Sequence, residues 1–155
     1  MQLTLYTDYS LRVLLYLALR DDASATINEI ADFYGISRNH LVKVAHHLAL
    51  RGFVDSTRGK GGGLKLGREP ARINIADVVT ACETNFHVVT CFDKQAPACA
   101  IEPACQLKHV LEEATAAFLD VLRGVTLSDL VADSKRWRRV AHRINTSAPP
   151  GHGNH

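Results

Sequence analysis

Apolar residues recur at three- and four-residue steps along most of this chain. Leu11, Leu14, Leu15, Ala18 and Leu19 predict a first helix over residues 9–20 with one buried face. Asp21, Asp22 and Ser24 interrupt that pattern. Thr26-Ile-Asn-Glu29 has the spacing of a capping box, in which the hydroxyl accepts from the third amide and the carboxylate reaches back. It opens a short second helix with Ile27, Ile30 and Ala31 on one face. Gly35 stands where a helix ends in a left-handed residue. Ser37 then caps a third helix whose inward stripe is Leu41, Val44, Ala45 and Leu48, and Gly52 ends it.

Two short strands follow, Phe53-Val54 and Leu64-Lys65-Leu66, joined by the cationic, glycine-rich turn Arg58-Gly-Lys60-Gly-Gly-Gly63. Residues 73–82 form another short helix, in which Val78, Val79 and Cys82 are apolar. Phe86, Val88 and Val89 suggest an extended stretch. Leu107, Leu111, Ala114, Phe118 and Leu122 alternate four- and three-residue steps, the seam of a long amphipathic helix. That seam can pack against the first helix, join two subunits, or do both. Thr126-Leu-Ser-Asp129 caps a short terminal helix. From residue 133 the chain is basic, then rich in Pro, Gly and His, and reads as a flexible tail.

The predicted fold is mainly α with a small β wing. A winged helix-turn-helix occupies 1–70, a short helix and cysteine loop 71–106, a dimerisation helix and terminal short helix 107–132, and the tail 133–155. A length of 155 residues fits one domain, or a small domain plus an appended element. Hydrophobic residues are 46% and charged residues 22%, an ordinary globular balance. No apolar run approaches the roughly 20 residues that cross a bilayer. Asp8 and Arg12 break the apolar N-terminus, and no small-residue cleavage site follows. A cytoplasmic protein without a membrane partner is expected.

Net charge is only +2, but it is unevenly placed. Between Ile36 and Arg68 seven Lys/Arg face Asp55 alone, a local +6. On a lone helix such a run is a solvated face. Behind a helix-turn-helix it is a phosphate-binding surface. Arg38, Asn39, His40, Lys43 and His47 point outward on the third helix, and the first four can reach base edges in the major groove of double-stranded DNA. Arg58 and Lys60 on the wing can lie along phosphates or enter the minor groove, with Gly61 and its neighbours permitting close backbone approach. The same glycines do not make a phosphate loop, because no Gly-Lys-Ser/Thr opens a helix.

Three of the four cysteines crowd into CFDKQAPACAIEPAC, as Cys91, Cys99 and Cys105. A tight two- to four-residue zinc knuckle is absent. The spacing suits thiolates around something larger than one ion, such as an iron–sulfur cluster. Zinc, a redox disulfide and idle thiols stay open on spacing alone. Pro97 and Pro103 stiffen the loop. Cys82 lies in a helical pattern and reads as a small buried hydrophobe.

MQLTLYTDYSLRVLLYLA, GISRNHLVKVAHHLALRGFV, RGKGGGLKLG and PACQLKHVL, with the three cysteines, resemble the winged-helix iron–sulfur repressors, the family of NsrR-type nitric-oxide sensors and IscR-type cluster-assembly regulators. The resemblance spans residues 1–132. It implies a homodimer on pseudo-palindromic promoter DNA, not an enzyme, with a cluster on Cys91, Cys99 and Cys105. It favours 4Fe-4S over 2Fe-2S. The IscR pattern places a His three residues after the last cysteine. Here that position is Lys108, with His109 one step off, which favours the NsrR type and nitric oxide as signal. In the NsrR pattern an Asp in a T-D-x-x-L-R context, supplied by the other subunit, completes the ligands. Asp8 occupies that place, Arg12 is its expected partner when it is not ligating, and Glu83 a second partner for Arg12. Asp93 and Glu102 are in-loop alternatives to Asp8. The rival readings are a regulator of the same fold sensing iron–sulfur status or iron, and a cluster carrier or thiol–disulfide redox protein.

Overall fold

The computed structural model describes residues 2–20, 24–57, 59 and 62–146, with only the backbone of Ser134. The wing residues Arg58, Lys60 and Gly61 lie outside the described residues, as does the Pro/Gly/His-rich end from residue 147. The element order is α1 (Leu5–Ala18), α2 (Ile27–Tyr34), α3 (Arg38–Leu50), β1 (Val54–Thr57), β2 (Gly63–Leu66), α4 (Ile75–Cys82), α5 (Gln106–Arg123), α6 (Leu127–Val131) and α7 (Ser134–Thr146).

α1 starts earlier than its apolar period predicts, because Thr4 caps it. The Thr4 hydroxyl accepts from the Thr7 amide at 3.3 Å, and Asp8 sits in the first turn, where the dipole favours a carboxylate. Its buried face also differs from the expected stripe. Val13, Leu14, Tyr16 and Leu17 are enclosed, whereas Leu11, Leu15 and Ala18 are only partly covered. The reason is that α3, α4, α6 and β2 all pack on α1. A helix with neighbours on several sides buries more than one stripe.

The capping box opens α2 as predicted. The Thr26 hydroxyl accepts from the Glu29 amide at 3.2 Å, and Glu29 Oε2 accepts from the Thr26 amide at 2.6 Å. Gly35 turns the chain at φ 65°, a conformation that costs other residues a Cβ clash. Ser37 holds the N-cap position of α3, but its side chain makes no capping bond. Its carbonyl instead accepts from His40 and Leu41 at 3.1 and 3.2 Å. The four inward residues of α3 are all buried.

β1 and β2 form an antiparallel hairpin, with Val54 opposite Leu66 and Thr57 opposite Gly63. Leu64 also exchanges both backbone bonds with Ala25, at 2.9 and 2.7 Å, which pins the hairpin to the segment before α2. A Cβ on Gly63 would lie 2.8 Å from the Ala25 carbonyl oxygen, so this approach requires glycine. The C-terminal part closes back on the first through Leu127 N to Ile73 O at 2.8 Å and Ile75 N to Val125 O at 3.0 Å. Thr126 and Asp129 form the second capping box, opening α6.

Two helices depart from expectation. None of the 18 residues of α5 is buried. It leans on α4 rather than on α1, leaving Leu107, Val110 and Val121 58–70% exposed. The expected flexible tail is, over Ser134–Thr146, the helix α7. Ile144 is fully buried, and Trp137, Val140 and Ala141 pack against the core beside it. These four positions have helical spacing, which the surrounding Lys and Arg residues mask in composition. Trp137 Nε1 donates to the Leu130 carbonyl at 2.7 Å, and the Asn145 amide to the Leu19 carbonyl at 3.4 Å.

The docked α7 has a measurable consequence. Ile144→Ala should lower unfolding stability by about 2–5 kcal/mol, the usual cost of emptying a buried aliphatic site. Denaturant unfolding checks this, and a loss well under 1 kcal/mol would mean that α7 is not seated in the core.

Candidate nucleic-acid interface and metal centre

α2, the Gly35 turn and α3 form the helix-turn-helix, with the hairpin beside it. Arg38, Asn39, His40 and Lys43 are all exposed on α3. Arg38 Nε donates to Asn28 Oδ1 at 2.9 Å, which orients it at the mouth between α2 and the hairpin. His40 stacks on Tyr9 of α1, with ring centroids 6.1 Å apart. His47, expected to face outward, turns inward instead. Its Nε2 lies 2.9 Å from the Ala81 carbonyl oxygen, and its ring meets the edge of Tyr6. Tyr6 also donates its hydroxyl to the Lys43 carbonyl at 3.2 Å. Two tyrosines of α1 therefore grip α3 along its length.

The cysteine loop runs between α4 and α5 through two single turns of 3-10 helix, Thr90–Phe92 and Glu102–Ala104. Cys91, Cys99 and Cys105 are all unpaired, two of them half-buried and Cys99 exposed. Cys91 faces a cleft of about 360 Å³ with Phe86, His87, Lys94 and Lys108 in its wall. Among the described residues no three His, Cys, Asp or Glu side chains converge on one ion-sized point. The donor set is soft and anionic once deprotonated, which fits iron–sulfur or zinc chemistry rather than a hard cation. Cys82 lies apart, half-buried against Ser10. Burial pushes its thiol above the ordinary value, against a weaker opposing bond from Ser10. That marks a structural thiol rather than a reactive one.

The candidate oxygen ligands are each engaged within the chain. Asp8 holds Arg12 in a two-pronged pair, with Oδ1 to Nε at 3.0 Å and Oδ2 to an Nη at 2.9 Å, and that bond raises the Arg12 pKa. Glu102 takes Lys108 at 2.6 Å, and Asp93 accepts from the Gln95 amide at 2.9 Å. Glu83 does not reach Arg12. It accepts from the Thr4 amide at 2.8 Å, the Thr4 hydroxyl at 3.0 Å and the Thr7 hydroxyl at 2.5 Å. Burial opposes its ionisation, but these donors outweigh it and hold the carboxyl below its usual range. Glu83 thus clamps the first turn of α1, the turn that carries Asp8, to the start of the segment leading into the cysteine loop.

A family model described as "Rrf2: Iron-dependent Transcriptional regulator" matches residues 3–133. The chain belongs to the Rrf2 family. Among curated proteins, it is 49% identical over 141 residues to the HTH-type transcriptional regulator NsrR of Shouchella clausii, covering 90% of this chain and 95% of that protein. It is 50% identical over 136 residues to NsrR of Bacillus subtilis, covering 87% and 93%. Among solved structures, CymR, the global cysteine regulator of B. subtilis, superposes with TM-score 0.69 at 25% identity, covering 85% of this chain and 97% of that one. IscR of T. potens shares the fold, with TM-score 0.68 at 23% identity over 88% of this chain and 90% of that one.

As an Rrf2 protein the chain is a DNA-binding transcriptional regulator and not an enzyme. No helix among its described residues is long and apolar enough to cross a membrane. Sequence reading missed Tyr6, Tyr9, Thr4 and Thr7. The Thr4-Leu-Tyr-Thr7-Asp8 run carried a cap signal, but nothing local ties two tyrosines to a helix some thirty residues on.

The clamp sets a pH dependence. A carboxyl with a depressed folded-state pKa contributes stability that is present above its unfolded value, about 4.3, and is lost as pH falls through the folded one. Glu83→Gln should therefore unfold more easily than wild type at neutral pH, and the gap should close on acidification below about pH 4. Thermal melts across pH check this; a constant gap would remove the ionised clamp.

Proposed function

We propose that this Rrf2 protein is a nitric-oxide-responsive repressor that binds promoter DNA as a homodimer and carries an iron–sulfur cluster, of the 4Fe-4S in preference to the 2Fe-2S type. The observation that carries this reading is the set of three unpaired thiols on one loop, in a chain whose α1 touches both the clamp beside that loop and the DNA-reading helix. Its kinship with proteins named NsrR supports nitric oxide as the signal. So does Lys108, bound to Glu102, at the position where the IscR pattern has a histidine.

The proposed DNA contacts are Arg38, Asn39, His40 and Lys43 in the major groove, with Arg58, Lys60 and Gly61 on the wing. The form of α5 supports the homodimer. A helix this long with no buried residue gains little stability from its own chain. A second copy would cover Leu107, Val110 and the half-exposed Leu111 and Phe118, and would set two α3 helices about one turn of DNA apart.

Cys91, Cys99 and Cys105 would hold the group, with Asp8 supplied across the dimer as the remaining ligand. Bound there, a cluster supplies iron with affinity for nitric oxide. The chain's own part is mechanical. In the pair seen here Asp8 is committed to Arg12. Were Asp8 to ligate instead, Arg12 would be released and the first turn of α1 would be free to shift. Tyr6 on that turn and Tyr9 just after it would move with it, and α3 would follow because the Lys43 carbonyl and the His40 ring are held by them. Two arrangements of Asp8 would thus become two settings of the DNA-reading helix.

Single Cys→Ser variants at 91, 99 and 105 should lose bound iron after anaerobic purification, while Cys82→Ser keeps it. Full iron in Cys99→Ser would end the proposed ligand set. In a DNA-shift assay, nitric oxide should release the wild-type protein. Asp8→Ala should still fold, since a helix-terminal carboxylate is worth about 0.3–1 kcal/mol, but its release should respond differently to nitric oxide. Unchanged DNA binding by wild type after full nitric-oxide treatment would overturn the signal assignment.

A further inference from the structure

The chain's positive charge sits in two places. Outside 36–68 and α7, six Lys/Arg face fifteen Asp/Glu, a net of −9. The first segment is the DNA-reading region. The second is α7, with Lys135, Arg136, Arg138, Arg139 and Arg143 and no acidic residue. α7 begins where the Rrf2 model match ends, at residue 133.

α7 is held rigidly. Asp133 Oδ1 accepts from the Arg136 amide at 3.1 Å at its start, and Ile144 is buried near its end. With Trp137, Val140, Ala141 and Ile144 turned to the core, Lys135, Arg138, Arg139 and His142 share the outer face and are exposed. Among the described residues, no carboxylate pairs with Lys135, Arg138 or Arg139. The apolar face is consumed by the protein, so α7 is not built to lie in a membrane surface.

Its position points to DNA. Arg143 stacks over Phe33 of α2, 5.5 Å from the ring centroid. Arg143 and Thr146 line a cleft with Thr26, Asn28 and Asp32. Thr26 and Asn28 also line the mouth between Arg38 and the hairpin. α7 is therefore continuous with the DNA-reading face through the N-terminal end of α2, the helix that crosses the DNA backbone in a helix-turn-helix. Asp32 and Glu29 are the acids on that side, and Glu29 is already engaged by Arg20 at 3.1 Å.

We propose that α7 is a second DNA-contacting element, whose outer Lys135, Arg138 and Arg139 bind backbone phosphates beside the site read by α3. The proposal rests on α3 being the reading helix. From Lys135 to His142 the stripe rises about 10 Å, the axial span of about three phosphates on one strand. It carries charge without a base-reading geometry, so it adds affinity and not sequence preference.

The test is the salt dependence of binding of the full chain, in its DNA-binding form, to a mixed-sequence duplex. Lys135→Gln, Arg138→Gln and Arg139→Gln together should reduce the slope of log K against log salt by about 2–3, at about 0.9 per lost contact, with helicity unchanged by circular dichroism. If the triple variant loses helicity, the three single variants decide, each lowering the slope by about 0.9. Arg138→Lys with Arg139→Lys should keep the wild-type slope, since a phosphate needs the charge and not the guanidinium fork. An unchanged slope in the glutamine variants overturns the proposal. Lys43→Ala, compared on duplexes of different sequence, separates the two readings. Altered sequence preference there, with an unchanged slope in the α7 variants, leaves α3 as reader and removes α7. Unaltered preference there, with a lower slope in the α7 variants, keeps α7 on the phosphates and removes the α3 assignment.

Discussion

The burial of α1 governs the arrangement of this protein. Tyr16 and Leu14 are fully enclosed and Val13 and Leu17 nearly so, each side chain contributing about 1.5–3 kcal/mol through lost contact with water. The elements packed on α1 are α3, α4, α6 and β2, and Phe33 and Tyr34 of α2 meet the Tyr16 ring, so the enclosure is drawn from almost the whole chain. One helix is thus the shared wall of the helix-turn-helix half and the half that leads to the cysteines. A shift at its first turn cannot remain local, because close-packed interiors transmit displacement rather than absorb it.

The polar ends of α1 show how that wall is used. At its N-terminus, Thr4 and Thr7 donate to Glu83, and Asp8 and Arg12 form a half-exposed pair. An exposed pair of this kind is worth little to stability, about 0–1 kcal/mol, which leaves Asp8 cheap to redirect. Two residues before Asp8 and one after it, Tyr6 and Tyr9 bear on α3. Asp8 thus lies between two tyrosines that both contact α3.

Among the described residues, the exposed flank of α5 and the basic face of α7 are two surfaces that the rest of the chain leaves uncovered. They differ in chemistry and so in partner. The first is apolar and calls for another apolar surface. The second is cationic, the character a phosphate-bearing partner would complement. Both lie on helices whose other faces are fixed to the body, α5 against α4 and α7 by Ile144, so each presents its free face in a defined direction.

Local chemistry by itself determined much of this protein. The Thr26–Glu29 and Thr126–Asp129 boxes, the Gly35 turn, the inward stripe of α3 and the glycine-rich hairpin depend on bonds within a few residues, and the sequence shows them directly. The crowding of three thiols into one loop was equally plain. Tertiary structure alone decided the rest. It rotated the buried face of α1, because several neighbours and not one stripe set its burial. It turned His47 to Ala81 and Glu83 to Thr4 and Thr7, partners 34, 79 and 76 positions away. It ordered α7, where a single apolar stripe outweighs five like charges once a core exists to receive Ile144. These outcomes depend on which surfaces meet in space, and that is set by the packing of the whole chain rather than by any short stretch of it.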